Sequence, residues 1–239
     1  MFSVIFPGQG SQTVGMGKNL YDNYDYIKDL FKKADDILNF KLSEIILNGP
    51  KEKLDLTENT QPAIFLLSYC IFETIKRETS LNLHEGEYFA GHSLGEYSAL
   101  AASNSLTFED TIQLLKTRGQ AMQNALPKGE GGMLAILGEE INTISTLLNE
   151  NETKYKCYIA NDNSNGQIVV SGKIKDIDLL IEDLKKNKIK NIKLPVSAPF
   201  HCKLMSSATE IMKNEITNAK IAKLTNTIIL PNEVRSAII

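Results

Sequence analysis

The sequence has no tryptophan and only three cysteines, Cys70, Cys157 and Cys202, which lie far apart along the chain. They form no Cys-x-x-Cys pair and their number is odd. They therefore indicate neither a disulfide framework nor a cluster of metal ligands. Unpaired, scattered cysteines are typical of a reducing compartment, and we expect a cytoplasmic protein.

Long apolar runs are absent too. No stretch approaches the roughly 18–20 apolar residues that a membrane helix needs. The N-terminal segment MFSVIFPGQG lacks the basic region that precedes the apolar part of a signal peptide. With a formal net charge of -3 and no basic stripe, the chain also lacks the charge pattern of a nucleic-acid-binding protein. We therefore expect no membrane segment and no nucleic-acid partner.

Arginine and histidine are scarce, with three residues of each type. Lysine supplies most of the 26 basic side chains. An arginine is therefore more often present here for its planar fork, which binds a carboxylate through two parallel hydrogen bonds. Only His84, His92 and His201 are available as a histidine base.

The chain of 239 residues is long enough for one large domain with a smaller domain inserted into it. Short apolar strands are predicted at 2–6 and 87–91, with helical patterns between them. Over about 130–196 the pattern predicts the order β-α-β-β-α-β, which is the split-βαβ order of a ferredoxin-like subdomain. The expected fold class is α/β.

The segment FAGHSLGEYSAL, at 89–100, places Ser93 between two glycines, after a predicted strand and before a predicted helix. A tight turn in this context presents the serine Oγ at the sheet edge, and glycine tolerates its crowded backbone. The N–H of Leu94 then lies at a helix N-terminus, where it can stabilise an oxyanion. The G-x-S-x-G pattern predicts a serine that attacks acyl groups, although such short motifs also occur as plain turns.

A serine nucleophile needs a base. His92 is adjacent to Ser93, and neighbouring side chains on an extended segment point to opposite sides, so we expect His92 to pack beneath the turn. His84 lies in a polar connection. By elimination His201, in the segment SAPFHCKLM, is the expected general base.

Metal and nucleotide sites receive little support from the sequence. His201 and Cys202 are adjacent and not at ligand spacing, so no metal site is predicted. The loop GQGSQTVG matches a dinucleotide fingerprint only in part, because Thr13 stands where the third glycine belongs. We expect the protein to need no metal and no cofactor.

Seven motifs follow one another over about residues 3–212: FPGQGSQ, TENTQPA, GHSLGEYSAL, LLKTRGQAM, GGMLAILG, NSNGQIVVSG and PVSAPFHCKLM. Together, in this order and spacing, they resemble the malonyl-CoA:acyl carrier protein transacylase family. The resemblance implies an α/β-hydrolase-like core with a short parallel sheet, formed by 1–128 and 197–239. It also implies a ferredoxin-like subdomain at 129–196. We expect a monomer.

The resemblance also implies roles for individual residues. Ser93 matches the family's nucleophile, His201 its base, and Arg118 the arginine that pairs with the malonyl carboxylate. The other matches are the backbone N–H groups of Gln9 and Leu94 in the oxyanion hole, Gln61 as an active-site glutamine, and His92 as a supporting histidine. The implied reaction is a ping-pong malonyl transfer from malonyl-CoA to acyl carrier protein through a malonyl-serine, and it supplies fatty acid biosynthesis.

The sequence departs from the family near its C-terminus. The tail ITNAKIAKLTNTIILPNEVRSAII cannot be matched to the family's further strand and helices, and at most LTNTII is a remnant of the strand. We therefore expect the last core strand to be missing. We also expect the loss of the backbone carbonyl that fixes the tautomer of His201.

Two alternatives stay open on the sequence. A serine hydrolase or thioesterase of the G-x-S-x-G type would use water as acceptor and would place an acid between serine and histidine in chain order. Arg118 in the acyl pocket argues against it. The other alternative is an inactive remnant that still binds the carrier protein.

Overall fold

The computed structural model describes residues 2–196, 198–222 and 228–230. Its helices are α1 Lys18–Asn23, α2 Asp25–Leu38, α3 Leu42–Asn48, α4 Lys51–Leu54, α5 Thr57–Glu78, α6 Gly95–Ala102, α7 Phe108–Asn124, α8 Ile141–Glu150, α9 Ile174–Lys186 and α10 Ser206–Asn218. Its strands are β1 Ser3–Phe6, β2 Tyr88–Gly91, β3 Gly131–Leu137, β4 Cys157–Ser164, β5 Gln167–Lys173, β6 Lys190–Lys193 and β7 Ile228–Leu230. Among these described helices, none is long and apolar enough to cross a membrane.

The chain divides into two compact units, and the first is drawn from Met1–Gln120 and Asn214–Glu233. It contains a parallel sheet in the order β1-β2-β7, in which Phe6 pairs with Gly91. Strands buried under helices consist largely of apolar residues. The apolar cluster on this sheet consists of Phe6, Phe72, Leu83, Phe89, Ala99 and Ala102.

Strand β7 corrects the expectation that the last core strand is missing. Ile228–Leu230 pairs in parallel with β2, on the side opposite β1. The expectation is wrong in that a strand does form, although Ile228 and Ile229 belong to LTNTII, the segment expected to be at most a remnant of it. The edge of β2 offers a row of backbone N–H and C=O groups with which even three residues can pair. The rest of the prediction for the tail falls on 223–227 and 231–239, outside the described residues.

The second unit is drawn from Ala121–Lys213. Its antiparallel sheet has the order β4-β5-β3-β6, and its elements follow the chain as β3-α8-β4-β5-α9-β6. The predicted order β-α-β-β-α-β is therefore observed. One core cluster joins the two helices to this sheet, and its buried members include Leu134, Ile136, Ile144, Val170, Ile177 and Leu180.

This unit is wider than the subdomain predicted at 129–196. A second apolar cluster brings the end of α7 and the segment after Ser197 together with the strands. Its buried residues are Ala121, Met122, Met133, Ala135, Ala160, Val169, Ala198, Phe200, Met205 and Ala208. His201 consequently belongs to the second unit.

Candidate active site

A sharp turn between β2 and α6 carries Ser93. Its backbone has a positive φ of 56°, a conformation that is costly for residues other than glycine and frequent at functional sites. A Cβ on Gly91 would overlap the backbone of Gly95, and a Cβ on Gly95 would lie 2.6 Å from the carbonyl oxygen of Phe6. Both glycines of the G-x-S-x-G pattern are therefore needed for the turn to close against β1.

The backbone N–H groups of Gln9 and Leu94 are the candidate oxyanion donors. Gln9 follows β1 and Leu94 follows β2, and the carboxyl ends of neighbouring parallel strands lie at one edge of the sheet. The side-chain Nε2 of Gln9 donates to Thr57 Oγ1 at 3.4 Å, which ties this loop to α5. Within the described part of the chain, neither backbone N–H donates to another protein group. Both are thus available to a ligand oxygen.

Arg118 joins the nucleophile to Gln61. Its Nη2 donates to Ser93 Oγ at 3.1 Å, and its Nη1 donates to Gln61 Oε1 at 2.8 Å. Arg118 is only 2% exposed and Gln61 only 1%. The guanidinium is therefore held beside the nucleophile and shielded from water, within reach of a carboxylate on an acyl group attached to Ser93.

Arg118 and Gln61 meet because α7 and α5 approach each other very closely at Gly119. A Cβ on Gly119 would lie 2.6 Å from the Cα of Glu58 and 2.6 Å from the carbonyl oxygen of Thr57. Gly119 was not among the predicted site residues, although a glycine inside a helical pattern is a signal for close backbone approach. Gly119 therefore sets the distance between α7, which carries Arg118, and α5, which carries Gln61.

Replacing Gly119 with alanine is expected to destabilise the protein. Overpacking costs about 1–3 kcal/mol, which outweighs the gain of about 1 kcal/mol that alanine has over glycine in a helix. Urea unfolding measures the change. Gln113→Ala, at an exposed position of α7, is the matched control and should change stability by no more than about 0.5 kcal/mol. A Gly119→Ala protein as stable as the wild type would show that the close approach is not required.

The buried guanidinium dominates the electrostatics of this site. Burial lowers the pKa of Arg118, and the nearby Tyr97 and Glu96 act in the opposite direction. Burial raises the pKa of the Glu96 carboxyl, and the charge of Arg118 opposes that rise. The hydrogen bonds from Arg118 to Gln61 and Ser93 both end on neutral oxygens. A guanidinium fixed beside the nucleophile in this way can bind the carboxylate of an incoming ligand through charge-assisted hydrogen bonds.

His201 lies in the second unit, where the backbone on both sides of it is anchored. The carbonyl of Phe200 accepts a hydrogen bond from Ser171 Oγ at 2.6 Å, and Cys202 Sγ donates to the carbonyl of Pro199 at 3.0 Å. His201 is half-buried and has a positive φ of 57°. Such a conformation, imposed by anchored neighbours, is frequent at functional positions.

The other two histidines lie in different surroundings. His92 is exposed, and a Cβ on Gly8 would overlap its imidazole. The expectation that His92 packs beneath the turn is wrong, because its side chain is exposed and lies against Gly8 of the loop after β1. His84 lies in a 3₁₀ turn with its ring edge-on to Phe72, 5.6 Å between centroids.

Cysteine chemistry and metal binding find no support in the described residues. Cys70, Cys157 and Cys202 are buried and free. Burial raises the pKa of Cys157 to about 12 and that of Cys202 to about 11, so neither is a ready thiolate nucleophile. Within the described ranges, no group of three or more histidine, cysteine or acidic side chains could hold a metal ion.

Comparison with known families identifies this arrangement. A family model described as an acyl transferase domain matches residues 3–236. The chain belongs to this acyl transferase family. The match includes Ser93, Arg118 and His201, so the whole candidate site lies inside the acyl transferase region.

Several relatives in this family have names and structures. The malonyl CoA-acyl carrier protein transacylase of Bacillus subtilis (strain 168) is 42% identical over 229 residues, which cover 93% of this chain and 71% of that protein. The crystal structure of acyl-carrier-protein-S-malonyltransferase from Bartonella henselae has a TM-score of 0.90 at 39% identity and covers 96% of this chain and 73% of that one. A complex of a type II PKS acyl-carrier protein with its malonyl-transacylase has a TM-score of 0.90 at 30% identity. The match covers 99% of this chain and 77% of that one. The resemblance predicted from the sequence motifs is confirmed.

Proposed function

We propose that this acyl transferase moves the malonyl group of malonyl-CoA to the phosphopantetheine thiol of acyl carrier protein, which supplies fatty acid biosynthesis. The observation that carries the proposal is the buried guanidinium of Arg118, 3.1 Å from the Oγ of Ser93. A nucleophile beside a fixed cation favours acyl groups that end in a carboxylate. The names of the relatives support the same substrate and acceptor.

The transfer takes place in two steps. In the first, Ser93 Oγ attacks the thioester carbonyl of malonyl-CoA while His201 takes the hydroxyl proton. The backbone N–H groups of Gln9 and Leu94 stabilise the oxyanion, the carbon–sulfur bond breaks, and His201 returns the proton to the sulfur of CoA.

In the second step the carrier thiol attacks the malonyl-serine ester. His201 takes the thiol proton and gives it to the departing oxygen of Ser93, so the enzyme is regenerated. Gln61 fixes Arg118 throughout, and we assign His92 a supporting role beside the nucleophile. The scheme needs no redox cofactor, because neither step changes an oxidation state, and His201 carries the proton in both steps.

Selection of malonyl over acetyl follows from the same guanidinium. Hydrogen bonds to a charged group contribute about 1.5–3 kcal/mol. Since 1.4 kcal/mol corresponds to a factor of ten, the discrimination is about 10- to 100-fold. The pairing also fixes the far end of the acyl chain, which orients the thioester towards Ser93.

The same proposal includes the finer fold assignment, the cellular location and the oligomeric state. A parallel sheet with the nucleophile after its central strand supports an α/β-hydrolase-like core. The sheet order β4-β5-β3-β6 with two crossover helices supports a ferredoxin-like subdomain at 129–196.

Three free cysteines support a cytoplasmic location. The monomeric state stays a prediction, which light scattering measures.

Intact-protein mass spectrometry tests the function. Mixed with malonyl-CoA, the protein is expected to gain the mass of one malonyl group on Ser93, located by peptide mapping. Addition of holo-acyl carrier protein should remove the group from the enzyme and place it on the carrier.

The matched control is apo-carrier protein, which lacks the phosphopantetheine thiol and should leave the malonyl-enzyme intact. Loss of the malonyl group to water as fast without carrier as with it would favour the serine hydrolase. Carrier binding without any acyl-enzyme would favour the inactive remnant.

A further inference from the structure

Tyr97 lies one turn beyond the nucleophile and has no assigned role. It belongs to the first turn of α6, where its backbone N–H donates to the carbonyl of Leu94 at 3.1 Å. Its side chain is only 4% exposed. The guanidinium carbon of Arg118 lies over its ring, 5.7 Å from the centroid.

The hydroxyl of Tyr97 does not explain why the residue is there. In the described part of the chain this buried Oη has no hydrogen-bond partner, and an unpartnered buried hydroxyl is unfavourable. The contact that distinguishes Tyr97 from an ordinary core residue is therefore the one between its ring and Arg118.

The contact with an aromatic ring stabilises the charge of a buried guanidinium. Burial lowers the pKa of Arg118, which means that its surroundings disfavour the charge. The negative face of an aromatic ring attracts a cation most strongly where water is excluded. The Tyr97 ring contacts the guanidinium of Arg118, and the Nη1 and Nη2 groups of that guanidinium donate to Gln61 and Ser93.

We propose that Tyr97 is a positioning residue for substrate selection, whose ring holds Arg118 at a fixed place relative to Ser93. The inference rests on the proposed malonyl transfer. A malonyl group has one methylene between its thioester carbonyl and its carboxylate, so the anion-binding fork must lie at a defined distance from the nucleophile. Ser93, Leu94 and Tyr97 lie within five successive residues. A movement of the turn that carries Ser93 therefore also moves the ring that contacts Arg118.

The test compares Tyr97→Leu, Tyr97→Phe and the wild type with malonyl-CoA and with acetyl-CoA as donors to holo-acyl carrier protein. Tyr97→Leu removes the ring and is expected to lower the ratio of kcat/KM for malonyl to that for acetyl by about 10- to 30-fold. Tyr97→Phe keeps the ring and should retain the ratio. Should Tyr97→Leu fail to fold by circular dichroism, Tyr97→Met serves as the flexible apolar replacement.

Phe65→Leu is the matched control for loss of a buried aromatic side chain. Phe65 is fully buried in the same unit and packs against Tyr69 and Phe108. This variant should lower the melting temperature without changing the malonyl-to-acetyl ratio.

Equal losses on both donors in Tyr97→Leu would overturn the proposal, since Tyr97 would then serve packing only. A Tyr97→Phe variant as impaired as Tyr97→Leu would also overturn it, because the hydroxyl would then be the active group. If the wild type forms no malonyl-enzyme at all, the proposed function itself fails. An active wild type with an unchanged ratio in Tyr97→Leu overturns only the role of Tyr97.

Discussion

Ser93→Ala is expected to form no malonyl-enzyme and to lose malonyl transfer by about 10³-fold or more, because the covalent route has no other oxygen to use. The positive φ of 56° at this position is equally strained for alanine, so the fold should survive with a stability change of about 1 kcal/mol or less. Intact mass after incubation with malonyl-CoA is the direct measurement.

Ser98→Ala provides a control within the same helix. Ser98 is only 2% exposed, and its Oγ has no partner among the described residues. Its loss should leave acylation unchanged, which separates the effect of one hydroxyl from that of altering α6. Malonyl labelling that persists in Ser93→Ala would show that another residue is the nucleophile.

Arg118→Ala is expected to lower kcat/KM for malonyl-CoA by about 10- to 100-fold relative to acetyl-CoA. Only the malonyl group has a carboxylate that loses the charge-assisted hydrogen bonds. Arg118→Lys should recover only part of the difference, because an ammonium is a point charge without the planar fork. Steady-state transfer of both acyl groups to holo-acyl carrier protein measures the ratio.

Arg77→Ala is the matched control for this experiment. The Arg77 side chain is 53% exposed and pairs with Glu73, and exposed ion pairs contribute little to stability. Its removal should leave both donors unaffected. Equal losses of malonyl and acetyl transfer in Arg118→Ala would mean that Arg118 is structural, and would favour the hydrolase.

The strand–turn–helix around Ser93 was predictable because its causes are local. Its two glycines, the apolar strand before them and the helix after them are all written within a dozen residues, and the structure shows why both glycines are required. The strand and helix order of the second unit was predictable for the same reason, since periodicity is a local property.

Predictions failed where packing between distant segments decides the outcome. The side chain of His92 was expected beneath the turn, yet it is exposed and lies against Gly8, more than 80 positions earlier in the chain. The last core strand was expected to be missing, yet Ile228–Leu230 pairs with β2, far earlier in the chain. Neither result follows from the residues next to the position in question.

The sequence by itself determined the chemical groups of the candidate site: a serine between glycines, one arginine in a recognisable motif, and a histidine reached by elimination. Only the tertiary structure decided how some of these groups meet. Arg118 and Gln61 are 57 positions apart, and they touch because Gly119 lets α7 approach α5. The ring of Tyr97, on α6, likewise meets Arg118, on α7, only through tertiary packing. The sequence specifies each side chain separately, whereas the distances between side chains depend on how closely the helices that carry them can pack.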